Sequence, residues 1–159
     1  MSNPPFESVV EQHGRTVLRV CRALVGRDDA EDVWSETFLA ALAAYPRLRP
    51  DSNVRAWLLT IARHKAIDRG RTAGRTPIAM DPLPEEATTH GVPHDPDDEL
   101  RVALASLPAK QRGAVIYHYI ADLPYAQVGD LLDSTEAAAR RAAADGIASL
   151  RSALGKEAR

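Results

Sequence analysis

Between Thr76 and Asp97 the chain loses its helical periodicity, and this interruption limits the fold more than any other feature. The segment TPIAMDPLPEEATTHGVPHDPD contains Pro77, Pro82, Pro84, Pro93 and Pro96 among several acids and has no strand-like alternation. Each proline removes a backbone donor and restricts the residue before it, so neither a helix nor a central strand runs through. The composition is that of a linker. On both sides apolar residues recur at helical spacing. The expected architecture is therefore all-α: two small helical domains, residues 1–75 and 98–159, joined by a flexible linker over 76–97.

Charge bears on what such a chain binds. The 159 residues carry a formal net charge of −2, which argues against a general nucleic-acid coat protein. Any binding of a polyanion has to come from a local basic patch. Cys21 is the single cysteine, so no internal disulfide forms, and a reducing, cytoplasmic setting is expected. The N-terminus lacks a charged start followed by an apolar run, and no segment approaches a membrane span.

In the first domain Phe6, Val9, Val10, His13, Val17, Val20, Cys21 and Leu24 follow one helical face. Cys21 on that face reads as packing, since a buried thiol behaves as a small hydrophobe. Gly26 ends the helix. Asp28 and Asp29 are expected to cap a second one, Ala30 to Tyr45, with Trp34, Phe38, Ala41, Leu42 and Tyr45 inward. Glu31, Asp32, Ser35 and Glu36 gather on its exposed side, either a solvated face or a docking surface for basic groups.

A loop, PRLRPDSN, then leads to VRAWLLTIARHKAIDRGR, Val54 to Arg71. Its first half sets Val54, Trp57, Leu58, Ile61 and Ala62 on one buried stripe. Its second half is basic, with Arg63, His64, Lys65, Arg69 and Arg71. One end is anchored; the other either complements the helix dipole or faces a polyanion. Asn53 suits an N-cap and, on its loop, also a recognition role. In the linker, His90, His94 and Asp95 read as chance neighbours and not as a metal site. Its acids, Glu85, Glu86, Asp95, Asp97 and Asp98, are suited to competing with DNA for the basic surface.

After Asp98, Leu100, Ala103, Leu104 and Leu107 form a short amphipathic helix ended by Pro108. AKQRGAVIYHYIADL forms the next, with Val115, Ile116, Tyr119 and Ile120 expected inward. Tyr125, Val128, Gly129 and Leu132 make one more face, Asp133 and Ser134 a break. Ala139, Ala142, Ala143, Gly146, Ile147, Leu150 and Leu154 then continue at helical spacing. This is helix-turn-helix patterning, with Arg140 and Arg141 toward the other face, within reach of a major groove. An ordinary helical hairpin with a solvated arginine pair fits the same spacing.

The order of segments resembles a sigma-70 family transcription initiation factor of the extracytoplasmic function (ECF) group, which keeps only regions 2 and 4. DAEDVWSETFLAAL, Asp29 to Leu42, resembles the region 2.2 helix. VRAWLLTIARHKAIDRGR resembles regions 2.3 to 2.4, through Ala56 to Leu58, Ile61 to Arg63 and Ala66 to Asp68. Leu107 to Arg151 aligns without gaps to region 4.

The resemblance implies a protein that is not an enzyme, needs no cofactor and directs core RNA polymerase to promoters. By that likeness Glu31, Asp32, Trp34, Glu36 and Thr37 would bind the polymerase, at the β′ clamp coiled coil, with the β subunit as a further partner. Ser52 and Asn53 would hold a base flipped from the −10 element. Arg55, Arg63, His64, Lys65 and Arg69 would contact DNA around it. Thr135, Glu136, Arg140 and Arg141 would meet the −35 element. The family commonly has glycine where Asp133 stands, and Thr, Arg and a basic residue where Ala138, Ala142 and Asp145 stand, so −35 contact is expected to be weaker or different. Many members are held by an anti-sigma factor; no residue here identifies one. The competing readings are a sigma-like DNA-binding regulator without productive polymerase engagement and a small helical enzyme, for which no nucleophile and base set, phosphate loop or metal cluster is present.

Overall fold

The computed structural model describes residues 3–72 and 96–157, so the expectations for Glu85, Glu86, His90, His94 and Asp95, and for the side chains of Asp97 and Asp98, lie outside what is described. Those described fold into helices with no strand among them. In the first module α1 (Phe6–Val25), α2 (Arg27–Ala44) and α3 (Val54–Thr72) form a three-helix bundle. Gly26 adopts φ 89° between α1 and α2 and donates its N–H to the Arg22 carbonyl 2.9 Å away. Only glycine takes this conformation without strain, so the chain reverses here with a single linking residue. Asp28 and Asp29 lie in the first turn of α2 instead of at its cap. Their charge complements the exposed N–H groups of that turn.

The stripe of α2 is rotated from expectation. Ala30, Val33, Thr37, Phe38 and Ala41 are buried, whereas Leu42 is 52% exposed. Thr37 enters the core because its hydroxyl donates to the Val33 carbonyl at 2.7 Å, leaving no buried polar atom unpaired. At the open end of the bundle Phe6 stacks edgewise on Tyr45 (centroids 5.2 Å) and on Phe38 (6.3 Å), and Tyr45 lies 6.2 Å from Trp57. A 3-10 turn, Tyr45–Arg47, then leads the chain away from this aromatic cluster. Helix α3 is covered on more than one side: Ala56, Leu59 and Ala66 are buried along with the expected Leu58 and Ala62.

The second module comprises α4 (Pro96–Ala105), α5 (Ala109–Val115), a π-helical turn (Ile116–Ile120), α6 (Tyr125–Leu131) and α7 (Glu136–Glu157). Two glycines allow its close packing. A Cβ on Gly129 would lie 2.9 Å from the Thr135 carbonyl group, and one on Gly146 would lie 2.7 Å from Val115 Cγ2. Asp133 takes φ 56° in the helix-turn-helix break, the left-handed conformation that Asp tolerates better than most residues. Arg112 is buried, and its Nη1 donates to the Ala105 carbonyl at the end of α4 (3.0 Å). Burial lowers its pKa to about 10, so it stays charged near neutrality and satisfies an otherwise open helix terminus.

The π turn explains one departure from the expected core. A strictly α-helical period puts Tyr119 inward; the wider turn instead buries Tyr117 and leaves Tyr119 57% exposed. Leu100, also expected inward, is 36% exposed. The π turn packs on α1 and α6 on α3, so the two modules touch. Arg55 of α3 crosses this junction, its Nη1 donating to the Ala121 carbonyl at 3.2 Å.

Candidate nucleic-acid interface

Three surfaces collect the residues singled out in the sequence. On α2, Glu31, Asp32, Ser35 and Glu36 are exposed. Trp34 is half-buried behind them, its indole N–H donating to the Gly14 carbonyl (2.8 Å) and its ring 4.6 Å from Phe38. Thr37 departs from its expected role: it is fully buried, so it supports this face from within and offers no atom to a partner. Leu39, 67% exposed, and Leu42 extend the acidic face with apolar surface, an extension hidden by the inward assignment of Leu42.

Arg69 of α3 does not stand apart from this acidic face. Its guanidinium lies 2.8 Å from Asp32, 3.3 Å from Asp29 and 3.5 Å from Glu36. The side chains of both Arg69 and Asp32 remain in contact with water, so the cluster is a screened surface network and not a buried ion pair.

Along the second surface, Asn53 is exposed and its Oδ1 accepts the Ala56 N–H (3.0 Å), capping α3; Ser52 beside it is half-buried. Arg55 is directed toward His13 of α1, 3.5 Å from Nε to Nδ1, and toward Ala121. Burial, and after it the Arg55 charge, lowers the His13 pKa from 6.5, which keeps an acceptor nitrogen available to Arg55. Arg63 is half-buried. Burial pushes the Tyr117 hydroxyl pKa well up, with the nearby Arg63 charge acting in the opposite direction. His64 is exposed and Lys65 half-buried. The basic run is thus divided: Arg55 meets the second module, Arg69 meets α2, and His64 faces water.

The third surface surrounds the start of α7. Thr135 Oγ1 accepts the Ala138 N–H at 3.0 Å, the geometry of an N-cap. Arg140 pairs with Glu136 (2.9 Å) and lies over the Tyr125 ring, 4.7 Å from its centroid. Arg141 lines an open groove of about 520 Å³ with Lys110, Gln111, Ala138, Ala142 and Asp145. The alanines at 138 and 142 leave this groove unfilled. Nothing in the sequence pattern sets Lys110 or Tyr125 apart as a site residue. Among the described residues no group of three His, Cys, Asp or Glu could hold a metal ion, and no helix is long and apolar enough to cross a membrane.

Comparison with known proteins identifies the family of the chain. Sigma-70 region 2 matches residues 9–76, and Sigma-70, region 4 matches residues 97–150. The ECF RNA polymerase sigma factor SigE of Mycolicibacterium smegmatis is 33% identical over 142 residues, 81% of this chain and 53% of SigE. The chain therefore spans about half the length of that relative. ECF RNA polymerase sigma factor SigD of Mycobacterium tuberculosis is 32% identical over 148 residues, covering 85% of this chain and 70% of SigD. In fold the chain is similar to the sigma factor RpoE of Bartonella quintana, solved with the anti-sigma factor NepR (TM-score 0.77, 20% identity, 94% of this chain and 96% of that one). It is also similar to CnrH, solved with the cytosolic domain of CnrY (TM-score 0.72, 21% identity, 95% and 88%). Two sigma-70 regions in order, and a relative 32% identical that is matched over 70% of its own length, place the chain in the ECF group of RNA polymerase sigma factors, which are non-enzymatic transcription initiation factors.

Proposed function

We propose that this protein binds core RNA polymerase through the exposed face of α2, directs it to two-part promoters and helps open the DNA strands. Membership of the sigma factor family carries this reading. Asp32 and Glu36 supply an acidic surface for basic side chains of the β′ clamp coiled coil, and Trp34, with Leu39 and Leu42, adds apolar area. The β subunit is a further contact. Ser52 and Asn53 stand where a flipped −10 base is held, with Arg55, Arg63, His64 and Lys65 as a basic track beside them. Unstacking a base costs a few kcal/mol, which the pocket and the track must offset. Thr135, Glu136, Arg140 and Arg141 belong to the −35 contact, and the site of action is the cytoplasm, where polymerase and promoter are.

In this reading the closed arrangement of the two modules is a resting form, because Arg55 is turned toward the second module. The solved structures of similar fold contain an anti-sigma factor or the cytosolic domain of CnrY, and a partner of that kind suits a closed form here. Run-off transcription with purified core polymerase tests the proposal. Promoter-dependent RNA is expected; DNA binding without RNA would favour a sigma-like regulator instead.

A further inference from the structure

Arg140 is held from two directions. Its Nη2 donates to Glu136 Oε2 at 2.9 Å, and its guanidinium carbon stands 4.7 Å over the centre of the Tyr125 ring. The Tyr125 ring also stacks on His118, centroids 3.8 Å apart and planes within 14°. A ring has two faces, and His118 and Arg140 both stack, so they take opposite ones. His118 is itself fixed: its Nδ1 lies 2.8 Å from the Leu123 carbonyl, which can only accept, so Nδ1 carries the proton. The Tyr119 ring meets it edge-on at 4.8 Å. The result is a column, His118 under Tyr125 under Arg140, rooted in the π turn and ending at the exposed start of α7.

A long arginine side chain that is 60% exposed ordinarily samples many rotamers, and a contact that must order it first is weakened accordingly. Here the Tyr125 ring on one side and the Glu136 carboxylate on another restrict where the guanidinium sits. A planar fork held in this way still has N–H groups to offer to a guanine edge or a phosphate. We propose that Tyr125, backed by His118, is a positioning residue for promoter recognition, holding Arg140 ready for upstream DNA so that recognition through Arg140 requires an aromatic ring at position 125. This rests on the reading of Arg140 as a DNA contact. The requirement is for a π face, so phenylalanine satisfies it and leucine of similar apolar bulk does not.

The test uses holoenzyme reconstituted from the full chain and core polymerase, offered duplexes whose upstream segment is randomised; bound duplexes are sequenced for base preference and relative affinity. Arg140→Ala is expected to flatten preference at one or more upstream positions. Tyr125→Leu is expected to flatten the same positions and lower affinity roughly two- to fivefold, the range for an exposed cation–π contact. Tyr125→Phe should match the parent. Added to Arg140→Ala, Tyr125→Leu should cause no further loss. Thermal melting of each variant separates these effects from unfolding. Equal loss from Tyr125→Leu with and without Arg140 would mean that the ring acts only through the fold and would overturn the inference, as would equal failure of Tyr125→Phe. If Tyr125→Leu leaves intact the positions that Arg140→Ala flattens, the inference fails while the DNA contact stands. If Arg140→Ala changes nothing, the DNA contact itself fails and the inference with it.

Discussion

The guanidinium of Arg69 on α3 lies 2.8 Å from the carboxylate of Asp32 on α2, joining the basic end of one helix to the acidic face of the other. In the proposed polymerase contact, basic groups of the polymerase and Arg69 compete for the same carboxylates. Arg69→Ala is therefore expected to tighten core polymerase binding by up to about fivefold at low salt and to steepen its salt dependence. Fluorescence titration of labelled protein with core enzyme measures this, and weaker binding would show that Arg69 supports the face instead of masking it.

His13 makes stability depend on pH. Its folded pKa lies below 6.5, first through burial and then through the Arg55 charge. The unfolded chain therefore binds more protons than the folded chain between that lowered value and 6.5. The contribution is complete above 6.5 and is lost as pH falls through the folded pKa. The melting temperature is expected to fall from about pH 7 to about pH 5, and to fall less in His13→Gln. In the same experiments Arg55→Ala, which removes the bond to Ala121, should raise the radius of gyration seen by solution scattering.

Thr37 and its neighbour Glu36 are expected to respond differently. Thr37→Val removes a hydroxyl bonded to a carbonyl of its own helix, so stability should change by about 1 kcal/mol or less and polymerase binding should persist. Glu36→Lys, on the exposed face, should weaken binding with little effect on melting. Equal loss of binding in both variants would place the contact elsewhere.

Gly129→Ala introduces a Cβ 2.9 Å from the Thr135 carbonyl group. Backbone has to move, so a loss of about 1–3 kcal/mol is expected in denaturant unfolding. Thr135→Ala, which removes the N-cap of α7, should cost about 1 kcal/mol, with Thr135→Ser close to the parent.

Cys21 is buried, and burial raises its thiol pKa to about 12. The native chain should react with iodoacetamide orders of magnitude more slowly than the urea-unfolded chain. Fast alkylation under native conditions would mean that α1 separates readily from its neighbours.

The helices that could be read from spacing are those with one buried face, such as α1, where Val9, Val17, Val20 and Cys21 fall as expected. Helix α3 was only half legible, because it is covered on several sides and a single stripe omits Leu59 and Ala66. The exchange of Tyr117 for Tyr119 was out of reach of a 3.6-residue period, since a π turn breaks that period. Thr37 and Arg112 were missed because polar residues carry no apolar signal; only their bonds to Val33 and Ala105 make their burial tolerable. Docking between modules, and with it the place of Arg55 against Ala121, leaves no periodic trace in either segment.

Along the outer side of α7, the alanines at 137, 138 and 144 bring no hydrogen-bonding group to the surface, and Arg140 and Arg141 stand among them. In the proposed −35 contact the reading falls to Thr135, Glu136, Arg140 and Arg141, so few base pairs are distinguished and a genome holds many upstream matches. In the proposed division of labour, the burden of choosing among those matches shifts to the loop at Ser52 and Asn53, where one extruded base is accepted or refused.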